Sequence, residues 1–127
     1  MNILDMPAGP ELDRLVAEKV MGWHLAPHPR PTPKVLMCWF NSADEPITPE
    51  HGINFSGNIA HAWEVVEKMG ARIGLQGPGS YDIGEEYMRF DSWACAFTLT
   101  SGLNSPMAFA ETAPLAICRA ALAAMSP

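Results

Sequence analysis

Prolines at every second position, Pro27, Pro29, Pro31 and Pro33, run through His24 to Lys34 and constrain this chain more than any other feature. Each removes a backbone donor and fixes φ, so the stretch favours an extended, polyproline-like connection and excludes a helix. Asn41 to Asn54 adds Pro46, Pro49 and Gly52 among polar residues and reads as a second irregular connection. Between them, Val35-Leu36-Met37-Cys38-Trp39-Phe40 is a short apolar run bounded by breakers. It suits a buried strand or a stretch packed over the core. Residues 24–54 therefore read as a proline-rich insertion. Its prolines are expected to stiffen a surface connection rather than to serve as a ligand for a proline-binding groove.

On either side of the insertion the apolar spacing turns helical. After Pro7-Ala8-Gly9-Pro10, which resists regular structure, Leu12, Leu15, Val16 and Val20 share one face of a helix predicted over Glu11 to Met21. Glu11 and Asp13 complement its positive end, and Gly22 is placed to take the left-handed conformation that ends a helix. Trp23 follows, where an aromatic ring can fold back onto the last turn. Residues 1–10 are expected to form a flexible segment ahead of a single domain over 11–127.

A second helix begins at the capping residue Asn58 and ends at Gly70. Its apolar face is read as Ile59, Ala62, Trp63, Val66 and Met69, with Glu64, Glu67 and Lys68 opposite. A third is capped by Thr112, carries Pro114 in its first turn, and places Leu115, Ile117, Cys118, Ala121, Leu122 and Met125 toward the core. Between these helices Ala71-Arg72-Ile73-Gly74-Leu75-Gln76 alternates as a strand does, and Gly77-Pro78-Gly79-Ser80 stops it. Tyr87 to Phe90 and Ala94 to Leu99 are two further strands, with Asp91-Ser92 suited to a tight turn between them, so an antiparallel meander is expected. The predicted class is α+β, three helices packed on a short antiparallel sheet of three to four strands in an α-β-α sandwich-like arrangement.

With 127 residues, 48% of them hydrophobic and 17% charged, the chain can build one core. The formal charge of −6, with eight Lys and Arg scattered along the sequence, leaves no basic footprint for DNA or RNA. Fourteen Asp and Glu are too spread to imitate a phosphate backbone. Apolar runs fall short of a membrane span, and the N-terminus lacks a signal-peptide pattern, so a cytoplasmic protein is expected. Cys38, Cys95 and Cys118 are odd in number and widely spaced, which suits reduced, buried thiols.

Three segments carry a resemblance to a known family: Glu11 through Trp23 (ELDRLVAEKVMGW), Ala60 through Met69 (AHAWEVVEKM) and Glu111 through Leu122 (ETAPLAICRAAL). Together and in this order they resemble the helical signatures of the phage ABA sandwich domain family. The resemblance covers about a third of the chain, and it implies helices packed on a sheet in a phage or prophage protein, with no assigned chemistry. Where such proteins have a short approach to the second helix, this chain has the long insertion ending in Asn54-Phe55-Ser56.

Candidate chemistry is sparse. His24 and His28 have a metal-ligand spacing only on a helix, which Pro27, Pro29 and Pro31 exclude, so no metal or other cofactor is expected. Neither His51 nor His61 can be placed beside Cys38 or Asp82 from sequence, and the glycines at 70–79 lack dinucleotide and phosphate-loop spacing. Asp82, Glu85, Glu86 and Asp91 form an acidic stretch, read as a solvated turn or as a contact for a cation or a basic partner surface.

Trp23, Trp39, Trp63 and Trp93, with Met37, Met88 and Met107, offer more aromatic and thioether surface than a small core easily encloses. Exposed groups of this kind anchor protein interfaces. Trp39, Phe40, Met37, Trp93, Asp82, Glu85 and Glu86 are thus the candidate interface residues, and no catalytic residue is assigned. The expected function is that of a phage or prophage accessory protein that binds another protein, with a host defence component such as a CRISPR effector as the expected kind of partner. The alternatives are a small-molecule binder or enzyme whose insertion covers a pocket, and a homo-oligomeric packing module.

Overall fold

The structure, a computed structural model, describes residues 3–29, 36–70, 72–83, 86–90, 92–98, 102 and 105–125, and for 79–83 and 86–90 the backbone alone. Val35, Ala71, Glu85, Asp91 and Leu99 of the sequence reading lie outside the described residues.

Where the sequence reading leaves residues 1–10 flexible, Ile3–Asp5 forms a 3-10 turn against the last helix and Met6 is buried. Helix α1, Pro10–Lys19, then starts with proline in the position where a missing amide hydrogen costs least. It buries Leu12, Asp13, Val16 and Ala17 and ends two residues earlier than predicted. Val20 and Met21 both donate to the Val16 carbonyl, Gly22 takes φ +73°, and Trp23 folds back to donate to the Ala17 carbonyl.

The insertion is more regular than its prolines suggest. Strands β1 (His24–Pro27), β2 (Met37–Phe40) and β3 (Pro46–Pro49) form an antiparallel sheet in the order β1-β2-β3. The loop expected over His24 to Lys34 is corrected at 24–27, its residues 30–34 lying outside the described residues, and the one expected over Asn41 to Asn54 is corrected at 46–52. All three prolines of this sheet stand on its two edge strands, where a missing donor need not break the ladder, and the central strand has none. Registers Leu25↔Trp39 and Trp39↔Thr48 place the tryptophan mid-sheet. A 3-10 turn, Glu50–Gly52, leads out.

The insertion rejoins α1 through buried polar groups. Asp13 Oδ1 accepts the Ser56 N–H at 2.8 Å, and the Ser56 Oγ accepts the Gly9 N–H at 3.0 Å. Helix α2, Ile59–Met69, follows, capped by Asn58, whose Oδ1 accepts from the amides of Ala60 and His61 at 2.9 and 3.3 Å. Gly70 closes it at φ +60°, a conformation a Cβ would strain.

Strand β4 (Arg72–Gln76) pairs not with its sequence neighbour but with β7 (Trp93–Thr98), and β7 pairs with β8 (Ala108–Ala110). The intervening β5 (Gly79–Ile83) and β6 (Glu86–Phe90) pair with each other as a hairpin. This corrects the expected meander: the strands around Asp91-Ser92 belong to different sheets. Buried Ser105 extends the partnership of β7, donating from its amide to the Phe97 carbonyl and accepting the Phe97 N–H on its Oγ at 2.8 Å.

Helix α3, Ala113–Met125, buries Ala113, Leu115, Ala116, Ile117, Cys118, Ala120, Ala121 and Leu122, residues on every side of its axis. It packs on β7 and β8 and also on α1 and α2, which makes it the centre of the core rather than an outer layer. Met125, predicted to face inward, is exposed. Arg119 ties this centre to the periphery, donating to the carbonyls of Met6 and Phe109 at 2.9 and 2.7 Å. The architecture is the expected α+β arrangement of three helices with antiparallel sheet, its strands divided between two three-stranded sheets and a hairpin.

Candidate functional site

The aromatic residues of the insertion face inward. Trp39 is 1% exposed and its indole N–H donates to the Glu50 carbonyl at 3.2 Å, which satisfies the ring's polar edge inside the fold. Phe40 is buried and stacks on His24, ring centroids 5.7 Å apart. Met37 is half-buried at the start of the same strand. Trp93 is half-buried against the core, and its ring lies over Gly77, where an added Cβ would approach it to 3.2 Å. The expectation that Trp39 and Phe40 project as anchors is therefore corrected: Trp39 joins the core and seats the insertion on the body, while Phe40 is buried against His24 of its own sheet. Asp82 and Glu86 occupy the β5–β6 hairpin, at the register positions Asp82↔Tyr87 and Ile83↔Glu86. Glu85 lies outside the described residues. Met37, Trp39 and Phe40 thus share β2, while Trp93 and the acidic pair stand on other strands.

The exposed anchors are elsewhere. On α2, Ala62, Val65 and Val66 are buried against the core, while Ile59 and Trp63 are 51% and 47% exposed. The helix is rotated from the face read in the sequence: Val65, not Trp63, lies in the core, and the helix packs on α3. Residues 59 and 63 are one turn apart and so form a single apolar ridge. Its surroundings on the helix are exposed Ala60, Glu64, Glu67 and Lys68. The ridge is held in place from below. His61 Nδ1 accepts the Asn54 N–H at 3.2 Å, and its ring meets that of buried Phe55 edge-on, while Phe55 in turn packs against Trp23. The available signal was the stripe 62, 65, 66 and 69, which competes with the stripe 59, 62, 63 and 66 at equal helical spacing.

A second exposed pair, Met107 and Phe109, sits at β8, alternating with buried Ala108 and Ala110.

Among the described residues, the cysteines lie inside the fold and the histidines paired with carboxylates lie at its surface. Cys38, Cys95 and Cys118 are free and buried. Burial pushes the Cys95 thiol from the ordinary 9.0 up to about 12, and burial, with the charge of Asp13 and then Cys95 adding to it, pushes Cys118 higher still. Exposed His24 lies 3.3 Å from Asp44, and exposed His51 lies 3.9 Å from Glu50. Among the described residues, no three of His, Cys, Asp and Glu converge in a metal-binding group, and no helix is long and apolar enough to cross a membrane.

Comparison with known proteins agrees with this fold. The family model of the phage ABA sandwich domain matches residues 14–122, which takes in most of α1, the whole insertion, α2, both sheets and nearly all of α3. A crystal structure of a phage protein from Bacillus cereus has the same fold, with a TM-score of 0.60 and 24% identity over 94% of this chain and 93% of that one. No curated protein matches.

Proposed function

We propose, from the premise that this chain belongs to the phage ABA sandwich domain family, that it acts by binding another protein through the Ile59–Trp63 ridge of α2. The observation that carries this reading is a half-exposed tryptophan beside a half-exposed isoleucine on a rigid, capped helix. Tryptophan is among the residues most enriched at the energetic centres of interfaces, and a helix one turn of which is apolar suits insertion into a partner's groove. The two side chains still expose about 200 Å² of apolar surface, so covering them contributes about 5 kcal/mol before ordering costs. That is enough for an anchor and too little for a complete interface, which needs a surrounding rim.

The net charge of −6 favours a partner with a basic surface. Host proteins that handle nucleic acid carry such surfaces, and the nucleic-acid-guided defence effectors hold their duplex in a positively charged channel. A phage accessory protein acting on a component of that kind in the host cytoplasm is the reading we advance.

Its test is affinity capture from host cells with and without such a defence system, using the whole chain and a Trp63→Glu variant whose thermal stability is checked first. The expected result is a host protein retained by the parent chain and lost with Trp63→Glu, together with relief of defence by the parent alone. Equal retention by both chains, or a stable homodimer that covers Trp63 without any partner, would overturn it.

A further inference from the structure

A separate set of residues, on α1 and the insertion, encloses a cleft of about 390 Å³. We infer that this cleft binds a small organic cation, an ammonium or guanidinium group on an apolar body. The size falls in the range of small-molecule sites, and the floor is apolar, made by Leu25, Trp39 and Ile53 of the insertion. What selects the ligand is the chemistry around that floor.

Three carboxylates line the cleft, Glu11 and Asp13 from α1 and Glu50 from the turn opposite. Asp13 is 3% exposed and held by the Ser56 N–H on one oxygen, so it is a fixed, pre-positioned acceptor rather than a solvated side chain. The donors of the lining are fewer than its acceptors and two of them are partly engaged. Arg14, also in the lining, gives its Nε–H to Glu18 at 3.0 Å, and the Trp39 indole N–H is spent on the Glu50 carbonyl. His51 stands at the mouth with its side chain 92% exposed, beside Glu50. The positive end of α1 would by itself attract an anion, but Glu11 and Asp13 already occupy its first turn. The three carboxylates outweigh the one guanidinium of Arg14, so a cationic donor is favoured over an anion and places its hydrocarbon on the floor.

The experiment is titration of the full ¹⁵N-labelled chain with pentylamine and butylguanidine, against pentanoate as the anion of similar size. The readout is the Trp39 indole signal and the amides of residues 50–53. The expected result is a saturable shift with the cations that weakens as salt is added, and none with pentanoate. Glu50→Gln, at a half-exposed position outside the core, should weaken cation binding about tenfold, and Trp63→Ala should leave it unchanged. Absence of a saturable shift with both cations, equal binding of pentanoate, or unchanged affinity in Glu50→Gln would each overturn the inference. None of these outcomes depends on whether the α2 ridge binds a protein.

Discussion

Asp13 and Ser56, 43 residues apart, hold α1 to the end of the insertion through a buried 2.8 Å hydrogen bond from the Ser56 amide to the Asp13 carboxylate. The Ser56 hydroxyl accepts the Gly9 N–H in turn, so one serine fixes both the start of α1 and the approach to α2. Removing the carboxylate leaves a buried amide unpaired. Asp13→Ala should therefore cost about 2–3 kcal/mol, and Asp13→Asn, which keeps an acceptor, about half of that. Urea denaturation of the two variants measures the difference. Equal stability of Asp13→Ala and the parent would show that this bond does not hold the insertion in place.

What the sequence discloses about this fold depends on how local the cause is. Asn58 and Gly70 act through hydrogen bonds and φ values within one turn of their own positions, so the limits of α2 are readable directly. Which side of α2 is buried is not, because Ala62, Val65 and Val66 and the alternative set with Ile59 and Trp63 have the same spacing, and only the surface of α3 chooses between them. The same holds for Trp39. Its apolar run signals a strand, but its burial depends on β1 and β3, edge strands whose prolines argue against strand at all when read alone. The pairing of β4 with β7 across a hairpin, and the three-residue β8, are long-range choices with too few residues to leave a pattern. The cleft joins α1 to the insertion, so its carboxylates were visible as residues and invisible as a group.

The rotation of α2 has a direct consequence for stability. Val65→Ala should cost about 2 kcal/mol because it opens a cavity against the core, while Trp63→Ala, on the exposed ridge, should cost less than about 1 kcal/mol despite removing far more atoms. Leu122→Asp, which places a charge in the buried centre of α3, should prevent folding. Thermal melts followed by circular dichroism give all three, and a larger loss for Trp63→Ala than for Val65→Ala would restore the other face.

Cys95 is pushed up to about 12 and Cys118 further in the same direction, both chiefly by burial. A thiol whose folded value is raised stays protonated in the fold while the unfolded chain loses its proton. Stability is then independent of these groups below about pH 9 and falls as pH rises from there toward 12, by about 1.4 kcal/mol per unit for each group. Denaturant midpoints between neutral pH and pH 11 test the sign. A thiol reagent at neutral pH should likewise modify all three cysteines only at the rate of unfolding.

Asn58→Ala removes the side chain that accepts from both Ala60 and His61 and should cost about 1 kcal/mol. Asn58→Asp, which keeps the acceptor at the positive end of the helix, should restore the parent stability.

The claim on which the functional account turns is that residue 63 of α2 is the point of contact with a partner. A photo-crosslinking amino acid placed at position 63, and for comparison at position 109 on β8, tests it in host cells expressing the whole chain. The account predicts one discrete adduct with a host protein from position 63, absent from position 109 and reduced when Ile59 is changed to Glu. Adducts from position 109 alone, or from position 63 only to a second copy of this chain, would contradict it.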